Sequence, residues 1–192
     1  MFQPSVPFIL ASGSPRRQEL LQTLGLQFSV DASDVDEQFN GEDSAEMVRT
    51  LSERKALAVC VRHPNAIVLG ADTVVVSQGE ILGKPKDRQS AARMLRQLSG
   101  KWHSVYTGLC LIHTGTKRKF SAVVETKVHF LSIPENDLQA YLATSEPYDK
   151  AASYAIQGIA GAFIDQIQGS SSNVIGLPIH AVVQGLREIE RD

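Results

Sequence analysis

The run Ala66-Ile67-Val68-Leu69-Gly70-Ala71-Asp72-Thr73-Val74-Val75-Val76 is apolar apart from Gly70, Asp72 and Thr73. A stretch this short and this rich in β-branched residues reads as a strand buried on both faces, so it needs cover on each side and belongs at the centre of a fold. Asp72 breaks the pattern. An ionised carboxylate in such a strand costs several kcal/mol unless a cation or a metal pairs with it. The carboxyl end of a central strand is also where open α/β sheets place ligands. Asp72 is therefore the leading candidate for a functional residue, and a purely structural buried ion pair is the alternative.

The segments around this run alternate in type without strict order. Phe8-Ile9-Leu10-Ala11 reads as a short strand, followed by a helix with Ser14 as N-cap and Pro15 in its first turn, closing near Gly25. A second helix is expected from Asp43, with Glu46 three residues on as in a capping box and an apolar stripe of Met47, Val48, Leu51, Ala58 and Val59. Gln78-Gly79 turns the central strand into a short partner, Glu80-Ile81-Leu82. A third helix is expected from about Asp87 to Leu98, stopped at Gly100, and then two strands, His103 to His113 and Lys119 to Phe130. Ser132 and Pro134 open a fourth helix that ends before Glu146-Pro147. A strand near Phe163 to Ile167, a polar loop from Gly169 to Asn173 and a final helix from about Pro178 complete the chain. No repeat of solenoid period is present. The pattern implies α/β or α+β with a mixed sheet and flanking helices, and no linker divides residues 1–192, which are expected to form one domain or two lobes of one.

Composition narrows the class of function. The 192 residues carry 19 Lys+Arg against 21 Asp+Glu, a formal charge of −2, with 43% hydrophobic and 21% charged residues. That is an ordinary globular balance, and it lacks the basic surface by which duplex-binding proteins neutralise phosphates. A nucleic-acid duplex is not an expected partner, whereas a small anion held by a few local cations is. The N-terminal residues lack a basic segment and a long apolar run, so a cytoplasmic protein without membrane contact is expected. Cys60 and Cys110 show neither CxxC nor metal-ligand spacing and read as buried thiols. The five histidines are scattered without an HExxH pair, and Trp102 reads as core.

Four further features depart from their surroundings. Ser12-Gly13-Ser14-Pro15-Arg16-Arg17 sets hydroxyls and two guanidiniums at a helix N-terminus, where free N–H groups and the dipole attract anions. Capping with solvated arginines is the plainer account. Lys55 falls on the apolar stripe of its helix, four residues after Leu51 and four before Val59, as a ligand or as a snorkelling side chain. Lys84, in Gly83-Lys84-Pro85, superficially resembles a P-loop, but the glycine spacing is one residue short and Pro85 stands where Ser or Thr would bind metal. Asp34, Asp36 and Glu37 form an acidic loop suited to a hard metal, or simply a solvated turn. Several cations, one pattern-breaking Asp and an acidic loop together suit a triphosphate with a divalent metal, and hence metal-assisted attack of water on phosphorus.

The ordered blocks Leu10-Ala11-Ser12-Gly13-Ser14-Pro15-Arg16-Arg17, Val35-Asp36-Glu37, Glu53-Arg54-Lys55-Ala56, Gly70-Ala71-Asp72-Thr73, Gly83-Lys84-Pro85, Asp149-Lys150-Ala151, Ile156-Gln157-Gly158 and Val174-Ile175-Gly176-Leu177-Pro178 span nearly the whole chain. They resemble the Maf (septum formation inhibitor) nucleoside triphosphate pyrophosphatases. The resemblance implies an elongated mixed sheet with two lobes around a nucleotide cleft, related to inosine triphosphatase, in a protein that is commonly a homodimer. It implies Asp72 as proton acceptor and Glu37 as metal or water ligand, the two carboxylates holding a divalent cation such as Mg or Mn. Ser12, Arg17, Lys55 and Lys84 would contact the triphosphate. Arg16, Thr73 and Gln157 match the branch that cleaves dTTP and UTP to the monophosphate and pyrophosphate, a nucleotide-pool house-cleaning role with a possible link to cell-division arrest. The 7-methyl-GTP branch has Trp, Gln and Glu at these positions. Ala155 departs from the Gly that many pyrimidine-type members carry. A 7-methyl-GTP pyrophosphatase, and a cell-division regulator that binds nucleotide without turnover, are the competing readings.

Overall fold

The computed structural model describes residues 2–191. Its elements in chain order are β1 (Phe8–Leu10), α1 (Pro15–Thr23), β2 (Ser29–Val30), α2 (Ser44–Cys60), β3 (Ile67–Ser77), β4 (Glu80–Leu82), α3 (Arg88–Leu98), β5 (Trp102–His113), β6 (Lys119–Phe130), α4 (Glu135–Leu142), β7 (Ile164–Gln168), α5 (Ser171–Ile175) and α6 (Ile179–Ile189). Three short 3-10 turns lie between α4 and β7. The strands form one seven-stranded sheet in the order β2-β1-β3-β5-β6-β7, with β4 added to β3. It is mixed: β1 runs parallel to β2 and β3, while β3–β4 and β6–β7 are antiparallel. The expected α/β architecture is the one found.

The expected strands and long helices are all present, and the differences are instructive. The N-cap of α2 is Asp43, whose carboxylate accepts from the backbone N–H of Ala45 and Glu46, but the reciprocal capping box forms at α3, between Asp87 and Ser90. Ser14 caps α1 by position only and makes no side-chain cap bond. The stretch from Gly169 to Asn173, expected as a polar loop, enters the short helix α5, and Ser172 and Asn173 are buried. Local polarity misled there because Asn173 is held by tertiary partners, donating Nδ2 to Val105 O and Thr126 Oγ1, both at 3.0 Å. Two residues read as core are not: Trp102 is 39% exposed, and Cys60 is half-buried while Cys110 is buried.

Backbone packing divides the chain into two compact units, one comprising Met1–Thr73, Thr107–Val124 and Gly176–Asp192, the other Val74–Tyr106 and Glu125–Ile175. In the first, α2 lies against one sheet face. There, a Cβ built on Gly70 would stand 2.1 Å from Ser52 O and 2.6 Å from Ala56 N, and one built on Gly108 would stand 2.1 Å from Val48 O. Only a residue without a side chain lets the helix backbone approach β3 and β5 this closely. Ile9, Ala11, Ala56, Val59, Ala66, Val68, Cys110 and Ile112 form the core beneath it. On the alternate residues of β5, Leu111 meets Gly185 of α6, so α6 covers the opposite face. In the second unit, α3 and α4 pack with Val75, Val105, Val128, Phe130 and Tyr154 into a separate core. Among the described residues no helix is long and apolar enough to cross a membrane.

Candidate active site

The close packing of α2 on Gly70 fixes the first half of the site. Gly70 and Asp72 share a face of β3 because strand side chains alternate. Lys55 follows three residues after Ser52, whose carbonyl overlies Gly70, so its ammonium arrives over Asp72. Lys55 Nζ donates to Asp72 Oδ1 at 2.6 Å and pairs with Glu37 Oε1 at 2.7 Å. Lys55 and Asp72 are each 8% exposed, whereas the Glu37 side chain is 65% exposed. Of the two readings of Lys55, snorkelling fails, since its nitrogen faces carboxylates inside the protein. Both functional and structural expectations for Asp72 meet here: the buried pair exists, and a carboxylate so paired can still exchange protons. Burial pushes the Asp72 carboxyl above the ordinary aspartate range, opposed by the neighbouring Lys55 and Arg17 charges and assisted by Glu37.

Thr73, the next residue along β3, faces the other way and serves the second cation. Arg17 donates Nε to Gly176 O at 2.9 Å, Nη1 to Ser12 Oγ at 3.0 Å and Nη2 to Thr73 Oγ1 at 3.2 Å. All three acceptors are neutral, and Arg17 has no ion pair among the described residues. Burial lowers its pKa while the Asp72 charge raises it; a guanidinium keeps its proton under such conditions. Ser12 Oγ accepts from Arg17 and from Ser14 N at 3.3 Å, so its hydroxyl proton is left for another acceptor. Lys55 likewise has a third N–H beyond the two given to carboxylates. Arg16 is half-buried and has no hydrogen-bond or ion-pair partner among the described residues. This collection of unspent donors is suited to a polyanion.

Lys84 and Gln157 belong to the second unit. Lys84 is exposed, without a hydrogen-bond or ion-pair partner among the described residues, and opens on a cleft of about 720 Å³ that also takes in Lys86, Arg93 and Arg96. The Gln157 side chain is exposed and similarly unpartnered. Its loop is anchored by a residue that sequence reasoning passed over. Glu146 accepts from Ile159 N at 2.8 Å, Ala160 N at 3.2 Å and Tyr141 OH at 3.1 Å. Thr107 was also passed over, and Gly176 entered only within a quoted block, with no role of its own. β5 carries other hydroxyls, Ser104 and Tyr106, so Thr107 did not stand out as Asp72 did, and Gly176 acts through its backbone.

Glu37 and Asp72 converge on one ammonium, and no group of three or more His, Cys, Asp or Glu able to hold a metal occurs among the described residues. Magnesium is ordinarily held by one or two carboxylates together with substrate phosphates and water, so this pair fits such an ion without forming a cage of its own. Asp34 and Asp36 do not join it: both are exposed, and Asp36 closes a local turn by accepting from Gln38 N at 2.9 Å.

Residues 7–189 match the family model described as Maf-like protein. The chain is 51% identical to a dTTP/UTP pyrophosphatase of Symbiobacterium thermophilum over 94% of its own length and 92% of the relative's. It is 46% identical to that of Desulforamulus reducens (94% and 95% covered) and 48% identical to that of Pyrococcus abyssi (92% of each). The donors around Arg17 and Lys55, the paired carboxylates and a match along almost the entire chain lead to one assignment: the protein belongs to the Maf family.

Proposed function

We propose that this protein is a nucleoside triphosphate pyrophosphatase that hydrolyses dTTP and UTP, water attacking the α-phosphorus to give the nucleoside monophosphate and pyrophosphate. The observation that carries the reading is the Lys55 ammonium held between Asp72 and Glu37, near a guanidinium with no anionic partner among the described residues. The relatives named dTTP/UTP pyrophosphatase supply the substrate. Ser12, Arg17 and Lys55 donate to the phosphates and Lys84 adds a fourth contact. Asp72 accepts the proton of the attacking water, a task that its raised pKa favours because a stronger base takes the proton more readily. Glu37 and Asp72 would hold a divalent cation, Mg or Mn, which when bound neutralises developing phosphate charge and activates water. Arg16, Thr73 and Gln157 read the base. Gln157 offers both a donor and an acceptor to the edge of uracil or thymine. The reading extends to a cytoplasmic homodimer, in line with the family resemblance.

The test is pyrophosphate release from dTTP, UTP, GTP and 7-methyl-GTP with Mg²⁺ or Mn²⁺, with and without chelator. Release from the two pyrimidine nucleotides, abolished by chelator, is expected. Inorganic phosphate as the product would overturn the cleavage position, and preference for 7-methyl-GTP would move the protein to the other branch. Asp72→Asn is expected to stay folded and lose at least about a hundredfold in kcat. Tight dTTP binding without turnover by the unaltered protein would leave a nucleotide-sensing regulator instead.

A further inference from the structure

Gln157, exposed and without a side-chain partner among the described residues, takes its position from the backbone that carries it. That backbone is a turn from Ala155 to Gly158, closed by Gly158 N donating to Ala155 O at 3.1 Å. Both ends of the turn are fastened inside the second unit. Before it, the hydroxyl of buried Tyr154 is bonded to His103 Nε2 at 2.8 Å. After it, the half-buried Glu146 carboxylate takes the first two N–H groups of the 3-10 turn Ile159–Phe163, Ile159 N on Oε2 at 2.8 Å and Ala160 N on Oε1 at 3.2 Å. Bonds to an ionised acceptor are roughly twice as strong as neutral ones. Tyr141, 2% exposed, shares its single phenolic proton between two groups that only accept, Glu146 Oε1 and Ser153 O, both at 3.1 Å. Gly158 lies against the carboxylate: a Cβ built there would stand 2.3–2.4 Å from its atoms. With φ of −108° the backbone at Gly158 is one that any residue adopts, so glycine is needed there for space.

We propose that Glu146 is a positioning residue for base recognition: its carboxylate fixes the turn that presents Gln157, and Gly158 keeps the room it needs. The inference rests on the reading of Gln157 as a base contact. Hydrogen bonds to a base edge need their donor and acceptor placed to within about 0.5 Å, which an exposed turn holds only with support from behind. Lys84 of the same unit is secured separately, since the neighbouring Gly83 O accepts from Ala152 N at 3.0 Å and Glu146 takes no part. Glu146 therefore governs which base is accepted and leaves the phosphate contacts alone. Glutamine cannot replace it. The amide keeps the size but has one oxygen, so whichever way it turns, its NH₂ faces a backbone N–H.

A double-mutant cycle tests whether Glu146 acts through Gln157. The constants kcat and KM for dTTP, UTP and GTP are measured with Mg²⁺ for the unaltered protein, Glu146→Gln, Gln157→Ala and the double variant, beside a thermal melt of each. Glu146→Gln is expected to lower the dTTP-to-GTP ratio of kcat/KM roughly tenfold, the scale of one hydrogen bond. The loss should appear as a raised KM for the pyrimidine nucleotides with kcat nearly kept, because a base contact is made equally in ground and transition states. Gln157→Ala should lower the ratio as well, and the double variant should be no worse than Gln157→Ala alone. Leu98→Ala, a core truncation on α3, supplies the control: it should melt lower and keep the ratio. A wild-type ratio in Glu146→Gln would overturn the proposal and leave Glu146 a structural anchor. Losses that multiply in the double variant would also overturn it, since Glu146 would then act by another route. Should Glu146→Gln not fold, Gly158→Ala, whose methyl group drives the carboxylate off the turn, is expected to lower the ratio in its place, and an unchanged ratio there would overturn the proposal. If Gln157→Ala keeps the ratio while dTTP is still hydrolysed, Gln157 does not read the base and the inference falls with that role, the pyrophosphatase reading standing; if the unaltered protein hydrolyses none of the three, the reading beneath is the one that fails.

Discussion

At the scale of single residues, the two lysines assigned to the phosphates differ in a way that stability measurements expose. Lys55 neutralises a carboxylate that is 8% exposed, and removing one partner of a buried pair costs about 3–5 kcal/mol because the other charge stays behind. The Glu37 contact adds little, since exposed pairs contribute about 0–1 kcal/mol. Lys84 is exposed and unpartnered among the described residues, so nothing in the fold depends on it. Lys55→Ala should therefore lose both stability and turnover, whereas Lys84→Ala should keep the wild-type urea midpoint and lose roughly tenfold to a hundredfold in kcat/KM. Exposed Lys101 supplies the control. A Lys55→Ala midpoint equal to wild type would mean that Asp72 is protonated or repaired by water without its cation. An unchanged kcat/KM in Lys84→Ala would return that residue to ordinary surface.

At the scale of elements, the position of α2 decides whether Lys55 and Asp72 meet. Gly70→Ala would place a methyl group 2.1 Å from a helix carbonyl and 2.6 Å from a backbone nitrogen, atoms that cannot rotate away. The helix must shift, at a cost of typically 1–3 kcal/mol for overpacking, and it takes the ammonium off its carboxylate. The expected result is a lower urea midpoint with kcat reduced far more than the stability loss explains, while Leu57→Ala, at an exposed position of the same helix, leaves kcat intact. Equal kcat in Gly70→Ala and wild type would show that the helix register is not critical. Elements of this kind were readable in advance when their signal was periodic or abrupt. The apolar run of β3, the Pro15 and Pro178 helix starts, and Asp72 and Lys55 as pattern breakers all carried over to the structure. What escaped depends on partners distant in sequence. β2 has two residues and exists by pairing with β1. Asn173 is buried by contacts to β5 and β6, and Glu146 anchors backbone N–H groups thirteen and fourteen residues away. The site was legible as residue types, but the pairing of Asp72 with Lys55 and of Thr73 with Arg17 was not, because it follows from how the helices lie on the sheet.

For the molecule as a whole, acid should act through ionisable groups that the fold holds away from their ordinary pKa, and the two units differ in which group comes first. In the second unit, His103 is 4% exposed among Phe130 and Tyr154, with Nε2 bonded to Tyr154 OH at 2.8 Å and Nδ1 without a partner among the described residues. Burial, aided by the nearby His129, lowers its pKa from 6.5 to about 4. A depressed histidine stays neutral in the folded protein while the unfolded chain takes up a proton. Its contribution is therefore complete above about pH 6.5 and is lost as pH falls toward 4. A depression of that size corresponds to on the order of 3 kcal/mol, or roughly 6–12 °C in melting temperature for a chain of this size. In the first unit, Asp31 is drawn down to about 2 by hydrogen bonds from Arg62 and His63, so its contribution holds until pH drops below about 4 and disappears toward 2. The single tryptophan, Trp102, lies in the second unit next to His103 in sequence, with its ring 5.1 Å from that of His129. Tryptophan emission during thermal melts should show the midpoint falling between pH 6.5 and 4 in the wild type. His103→Gln, which keeps a polar partner for Tyr154 but cannot take a proton, should flatten that fall while leaving the Asp31-dependent loss below pH 4, followed by circular dichroism, in place. A wild-type midpoint constant from pH 6.5 to 4, or an equally steep fall in His103→Gln, would show that the acid response of this unit arises from groups other than the buried histidine.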